Sequence, residues 1–150
     1  MGANGILLFV SMNYSTKPVG TIIDMVKNRK KILIVEDELP MLQELTRAFT
    51  NAGFETFGAK NGEEGLAVAI EKNPDMILLD LVMPKMDGMT MLKKLRQNVH
   101  GENIPVIVLT NLNDSKAVAA LFENGVREYL VKSDWDVEEL IKKVNKKLGT

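Results

Sequence analysis

The sequence predicts a doubly wound α/β domain, with an open parallel sheet of five strands and helices on both faces. Three features of the chain predict it. Short apolar runs recur along the sequence, each is followed by apolar residues at helical spacing, and nearly every run stops at a polar or charged residue. Near-continuous apolar runs mark strands buried on both faces. Parallel strands need helical crossovers, and right-handed crossovers distribute the helices over both sides of the sheet.

The elements follow in order. Ile32 to Val35 is the first strand. Pro40 suits a first helical position, Leu42, Leu45 and Phe49 lie on one face, and Gly53 ends the helix. Phe54 to Phe57 is the second strand. Asn61 with Glu64 reads as a helix start, and Leu66, Ala69 and Ile70 form the apolar face before Asn73-Pro74. Met76 to Leu79 is the third strand and runs into Asp80. A loop with Pro84 and Gly88 opens a helix bearing Met91, Leu92 and Leu95. Pro105 introduces a fourth strand, Val106 to Leu109, which ends at Thr110. The next helix carries Val118, Leu121 and Phe122 and closes at Gly125. Tyr129 to Val131 is the last strand and ends at Lys132. Asp136 with Glu139 forms a capping box for a final helix bearing Leu140, Val144 and Leu148.

The whole pattern makes one domain over residues 30–150, preceded by an extension, 1–29, of unknown role and expected to be poorly ordered. Its apolar run Ile6 to Val10 is too short for a signal-peptide core or a membrane span. The chain of 150 residues is 45% hydrophobic and 26% charged, the composition of an ordinary soluble domain. A net charge of −1 gives no general attraction to nucleic acid or to an anionic membrane, and neither is expected as a partner. The absence of cysteine excludes disulfides and thiolate chemistry and fits a reducing, cytoplasmic compartment.

In open α/β sheets, sites form at the carboxyl ends of the strands. There the sequence places Glu36 and Asp37, Asp80, Thr110 and Lys132. Packed carboxylates repel one another, and a hard divalent cation such as Mg²⁺ relieves that repulsion through oxygen ligands. Lys132 adds a compact positive charge and Thr110 a hydroxyl donor. Such a set suits phosphoryl transfer to an aspartate, where positioning and charge neutralisation supply most of the catalysis. Any one of these residues alone is commonplace in a strand-end loop. Their joint occurrence is what carries the reading.

At these residues the sequence resembles the receiver domain of two-component response regulators, from about Lys31 to Leu148. Three stretches carry the resemblance: Ile-Leu-Ile-Val-Glu-Asp-Glu, Asp-Leu-Val-Met-Pro-Lys-Met-Asp-Gly and Tyr-Leu-Val-Lys. It implies a flavodoxin-like fold with strand order 2-1-3-4-5. It implies that Asp80 is the phosphoacceptor, Asp37 a direct Mg²⁺ ligand and Glu36 its acidic partner acting through water. The backbone carbonyl of Val82 would be a further ligand. Lys132 would pair with Asp80 and then with the phosphoryl group, Thr110 would hydrogen-bond that group, and Tyr129 would be the switch aromatic. The implied donor is a histidine kinase or phosphotransfer protein. The implied output is a shift of the fourth helix, last strand and fifth helix toward an unnamed protein target, with a phosphorylation-linked homodimer left open. Such a domain is no enzyme beyond its own phosphorylation and dephosphorylation.

The sequence departs from the family pattern in places. Ser133 stands where most relatives have proline, which predicts a trans Lys132-Ser133 bond and an altered final loop. Asn111 follows Thr110 where a small residue is commoner, and Glu36 replaces the commoner Asp. Val82 and Leu112 are apolar at positions that influence hydrolysis in the family, so the resemblance implies a long-lived phosphoform. His100 reads as a solvated loop residue, Trp135 as packing over the sheet edge, and Lys142, Lys143, Lys146 and Lys147 as a solvated helix face.

Other functions fit less well. A haloacid-dehalogenase-type phosphatase needs a second Asp two residues after its nucleophile, where this chain has Val82. A flavodoxin-type carrier would not place Glu-Asp-Glu beside a phosphate. The remaining alternative is a pseudo-receiver, a binding module that works without phosphorylation.

Overall fold

A computed structural model describes residues 20–111 and 115–150. Among them are six helices and five strands. Helix α1 (Gly20–Lys27) precedes the repeat, which runs β1 (Lys31–Val35), α2 (Leu39–Asn51), β2 (Glu55–Ala59), α3 (Gly62–Lys72), β3 (Met76–Asp80), α4 (Gly88–Arg96), β4 (Val106–Thr110), α5 (Ser115–Glu123), β5 (Glu128–Val131) and α6 (Val137–Leu148). The sheet is parallel throughout, in the order β2-β1-β3-β4-β5.

Strand alternation divides the core in two. Leu33, Val35, Ile77, Leu79 and Val108 face α3, α4 and α5, together with Met91, Leu95 and Leu121. Ile32, Ile34, Met76, Leu78 and Ile107 face the other way, against Leu45 and Phe49 of α2 and Leu140 and Val144 of α6. Successive side chains of one strand thus enter opposite cores, which is why the runs show no polar alternation.

Local signals place the helices. Pro40 lies in the first turn of α2. Asn61 accepts from the Glu64 N–H at 3.0 Å, and the Glu64 carboxylate reaches back to the Lys60 N–H, one residue further than a standard capping box. Asp87 caps α4 and Asp136 with Glu139 boxes α6. The Lys132-Ser133 bond is trans, as expected without proline.

Four readings are corrected. The second strand begins at Glu55, and Phe54 is a buried residue before it whose ring lies 5.6 Å from that of Phe49. Ile70 is exposed, because α3 approaches the sheet through Gly62 and Gly65 instead. A Cβ at Gly65 would lie 2.8 Å from Met91 Sδ, so this small-residue face rotates Ile70 outward. Phe122 is 45% exposed, since Leu121 alone anchors α5 deeply. Lys143 and Lys147 are not merely solvated: they pair with Glu128 of β5 at 2.5 and 2.9 Å and hold its carboxyl below its ordinary range despite partial burial. Within 1–29, α1 is an element the sequence reading did not predict; residues 1–19 lie outside the described residues.

Arg96 ties the far edge of the sheet together. Its Nε donates to Asn124 O at 2.9 Å, beyond the end of α5, and its Nη1 donates to Gly101 O and Ile104 O at 2.9 and 2.8 Å. One planar fork thus fixes the loop after α4 and the end of α5. Replacing Arg96 with Met should lower unfolding free energy by about 2–4 kcal/mol, because it leaves the Asn124 and Ile104 carbonyls without a donor and Gly101 O with only the Ile104 N–H at 3.3 Å. Arg96→Lys should recover only part of that. Urea denaturation checks both, and a loss below about 1 kcal/mol for the methionine variant contradicts the clamp.

Candidate functional site

The pairing register builds the site. Val35 lies opposite Leu79, so the next residues, Glu36 and Asp80, leave the sheet side by side. Thr110 lies opposite Val131, and the Lys132 N–H donates to the Thr110 carbonyl at 2.9 Å, which sets Lys132 at the same edge. Oxygens of Glu36, Asp37 and Asp80 all lie within 4.8 Å of one another. Of the residues that the sequence groups, Glu36, Asp37, Asp80 and Lys132 come together, and Thr110 lies at the same end of the sheet.

Gly88 lets the loop close on the site. A Cβ there would sit 2.1 Å from the backbone oxygen of Asp80, so only glycine fits. Gly88 N–H donates to Leu81 O, and Val82 N–H reaches Asp80 Oδ1 at 3.4 Å. The Val82 side chain is 61% exposed beside the site. Asn111 is exposed as well, and Leu112 lies outside the described residues.

The electrostatics are strained. Lys132 Nζ lies 2.6 Å from Glu36 Oε2 and 3.4 Å from Asp80 Oδ2, and all three side chains are at most 8% exposed. Burial pushes the carboxyl groups of both Glu36 and Asp80 above their ordinary values, and the Lys132 charge offsets this only in part. Burial also opposes the ammonium, but two flanking carboxylates outweigh it and hold Lys132 above its usual value. One cation is shared between two anions, so the ammonium is over-served and the carboxylates under-served.

The Glu36–Lys132 contact was not foreseen. The residues are 96 apart in sequence, and the only linear hint is the longer reach of Glu over the commoner Asp. Tyr129 lies opposite Val108, and Thr110 follows Val108 by two, so Thr110 and Tyr129 share the face toward α5. Tyr129 is half-buried against that core. Trp135 packs on the other core as expected, with a buried Nε1 that finds no acceptor among the described residues. His100 is exposed.

A model of the response regulator receiver domain family matches residues 32–145. The chain belongs to this family. The receiver domain is 40% identical over 105 residues to the probable C4-dicarboxylate response regulator DctR of Halalkalibacterium halodurans, a match covering 68% of this chain and 44% of that protein. It is 34% identical over 119 residues to sporulation initiation phosphotransferase F of Bacillus subtilis, covering 79% of this chain and 94% of that one. A solved complex of CheX and CheY with BeF3 and Mg²⁺ from Borrelia burgdorferi is similar in structure, with a TM-score of 0.70 and 30% identity over 79% of this chain and 89% of that chain. The receiver domain thus spans under half the length of DctR and nearly all of the phosphotransferase. No helix among the described residues is long and apolar enough to cross a membrane.

The donor set fits a hard divalent cation: three oxygen donors of like charge, two of them buried and held above their ordinary values. Receiver domains bind Mg²⁺ at an acidic pocket of this kind. Ionised Asp80 costs stability while no cation is bound. A raised folded value means the native state holds the proton more tightly than the unfolded chain, so the cost is present at neutral pH and fades as pH falls through that value. Asp80→Asn should therefore raise the melting temperature at neutral pH in EDTA, and the gain should shrink on acidification and on adding Mg²⁺ to both proteins. Scanning fluorimetry checks this, and a lower melting temperature than wild type in EDTA would sink it.

Proposed function

We propose that this receiver domain is a phosphorylation-dependent switch of a two-component system, with Asp80 as its phosphoacceptor. The observation that supports it best is the buried Asp80 carboxylate beside Glu36, Asp37 and Lys132 at the carboxyl edge of the sheet. An Asp80 oxygen attacks phosphorus on a donor phosphohistidine, the phosphorus–nitrogen bond breaks, and its electron pair returns to the imidazole of a histidine kinase or phosphotransfer protein. Asp37, Asp80 and the Val82 carbonyl would hold Mg²⁺, with Glu36 as the third acidic group. Bound there, Mg²⁺ neutralises charge on the phosphoryl oxygens.

Lys132 neutralises the same oxygens directly, and Thr110 donates its hydroxyl to one of them. Because Thr110 and Tyr129 share a face, a shift of Thr110 makes room for Tyr129 to turn inward. The elements biased are α5, β5 and α6, the fourth helix, last strand and fifth helix of the repeat. Phe122, exposed on α5, is an apolar group open to a downstream protein or to a second copy of the chain. The place of work is the cytoplasm.

Incubation with acetyl phosphate should give a single Mg²⁺-dependent phosphoryl adduct by intact mass, absent in Asp80→Asn. A folded protein that takes no adduct would support the pseudo-receiver reading instead. The phosphoform should last minutes or longer, because exposed Val82 presents no polar group to align water beside Asp80. Val82→Asn should shorten that lifetime, and a wild-type half-life of seconds would contradict the reading.

A further inference from the structure

We propose that α1 and the basic stretch behind it seat the chain on an anionic lipid surface, with the apolar face of the helix in the bilayer interface and Lys27 and Arg29 among the headgroups. The inference goes beyond the phosphorylation of Asp80 and stands independently of it.

The apolar face of α1 has no cover in the fold. Ile22, Ile23 and Val26 are 56, 58 and 54% exposed and join neither core. At helical spacing these three side chains fall within an arc of about 100°, with Asp24 opposite and Lys27 at the border. A helix of eight residues is marginal in water by itself, and a divided one is stabilised by burying its apolar face against something. The helix also lies outside residues 32–145, the span that the receiver family matches.

Charge points to what covers that face. The net charge of −1 hides an asymmetry: residues 1–31 hold five lysines and arginines against one acid, Asp24, a balance of +4 that leaves −5 on residues 32–150. Lys30 is held by Asp75 at 3.7 Å and Lys31 by the Lys72 carbonyl at 3.3 Å, which fixes the junction to the amino edge of the sheet. Lys27 and Arg29 are exposed and have no hydrogen-bond or ion-pair partner among the described residues. An apolar stripe bordered by unpaired cations suits a helix lying in a lipid interface, whereas a nucleic acid would leave the stripe uncovered. Upstream, residues 1–16 hold no charged side chain and include Ile6-Leu7-Leu8-Phe9-Val10, an apolar stretch that would strengthen the same attachment. Because α1 leads into β1 at the amino edge, the acidic cluster at the carboxyl edge stays open to a phosphoryl donor.

The test floats the full chain with vesicles of phosphatidylcholine alone and of equal parts phosphatidylcholine and phosphatidylglycerol. Wild type should bind the mixed vesicles more tightly than the neutral ones, on the order of tenfold, and raised salt should shrink that preference. Ile22→Ser with Val26→Ser should weaken binding to the mixed vesicles on the order of tenfold. Lys27→Gln with Arg29→Gln should remove most of the preference for them. All four positions are exposed and outside both cores, so each variant should melt with the wild type and still take a phosphoryl adduct at Asp80. Equal binding of wild type to both kinds of vesicle overturns the proposal, as does undiminished binding by the serine variant. A wild type that ignores vesicles and sediments as a dimer, with the serine variant a monomer, gives the face to a second copy of the chain and overturns the lipid reading.

Discussion

Lys132 stands between two buried carboxylates, and the rest of the site depends on how it divides itself between them. A single ammonium cannot satisfy Glu36 and Asp80 together in a setting this dry. The closer contact goes to Glu36, and Asp80 keeps a charge that burial disfavours. A carboxylate in that condition gains from any added positive charge. The instability is local and useful. It marks where the fold tolerates an unfavourable arrangement for the sake of chemistry.

The sheet makes that arrangement sustainable. Both faces of β1, β3 and β4 are sealed by helices, so these strands can display polar groups only past their ends. The register then puts the ends of β1 and β3 in line, and the backbone bond from Lys132 to Thr110 brings the fifth strand to the same place. Gly88 allows the following loop to lie directly on the Asp80 backbone, where any side chain would collide. Opposite this strained edge, Arg96 binds the ends of two helices with three short bonds. The Arg96 clamp lies at one end of the sheet and the acidic cluster at the other.

The parts of this architecture written in local pattern were legible in the sequence. Apolar runs gave the strands, and Asn61, Asp136 with Glu139, and Gly125 gave helix ends, because each acts on its own backbone within a few residues. The site was legible for a related reason: strand ends in a parallel sheet meet at one edge, so Glu36, Asp37, Asp80, Thr110 and Lys132 could be grouped without coordinates. Properties of packing were not legible. Ile70 sits at a core-like spacing, yet the glycines of α3 turn a different face inward. Lys143 and Lys147 look like solvent charges until β5 brings Glu128 beneath them. The choice of Lys132 for Glu36 over Asp80 is a difference of 0.8 Å, which no pattern encodes.

Inverting a two-state population from one part in a hundred to ninety-nine requires about 5.5 kcal/mol of differential interaction. Charge-assisted hydrogen bonds contribute roughly 1.5–3 kcal/mol each. On the proposed reading, a phosphoryl group gains bonds from Lys132 and from Thr110, which together approach the requirement.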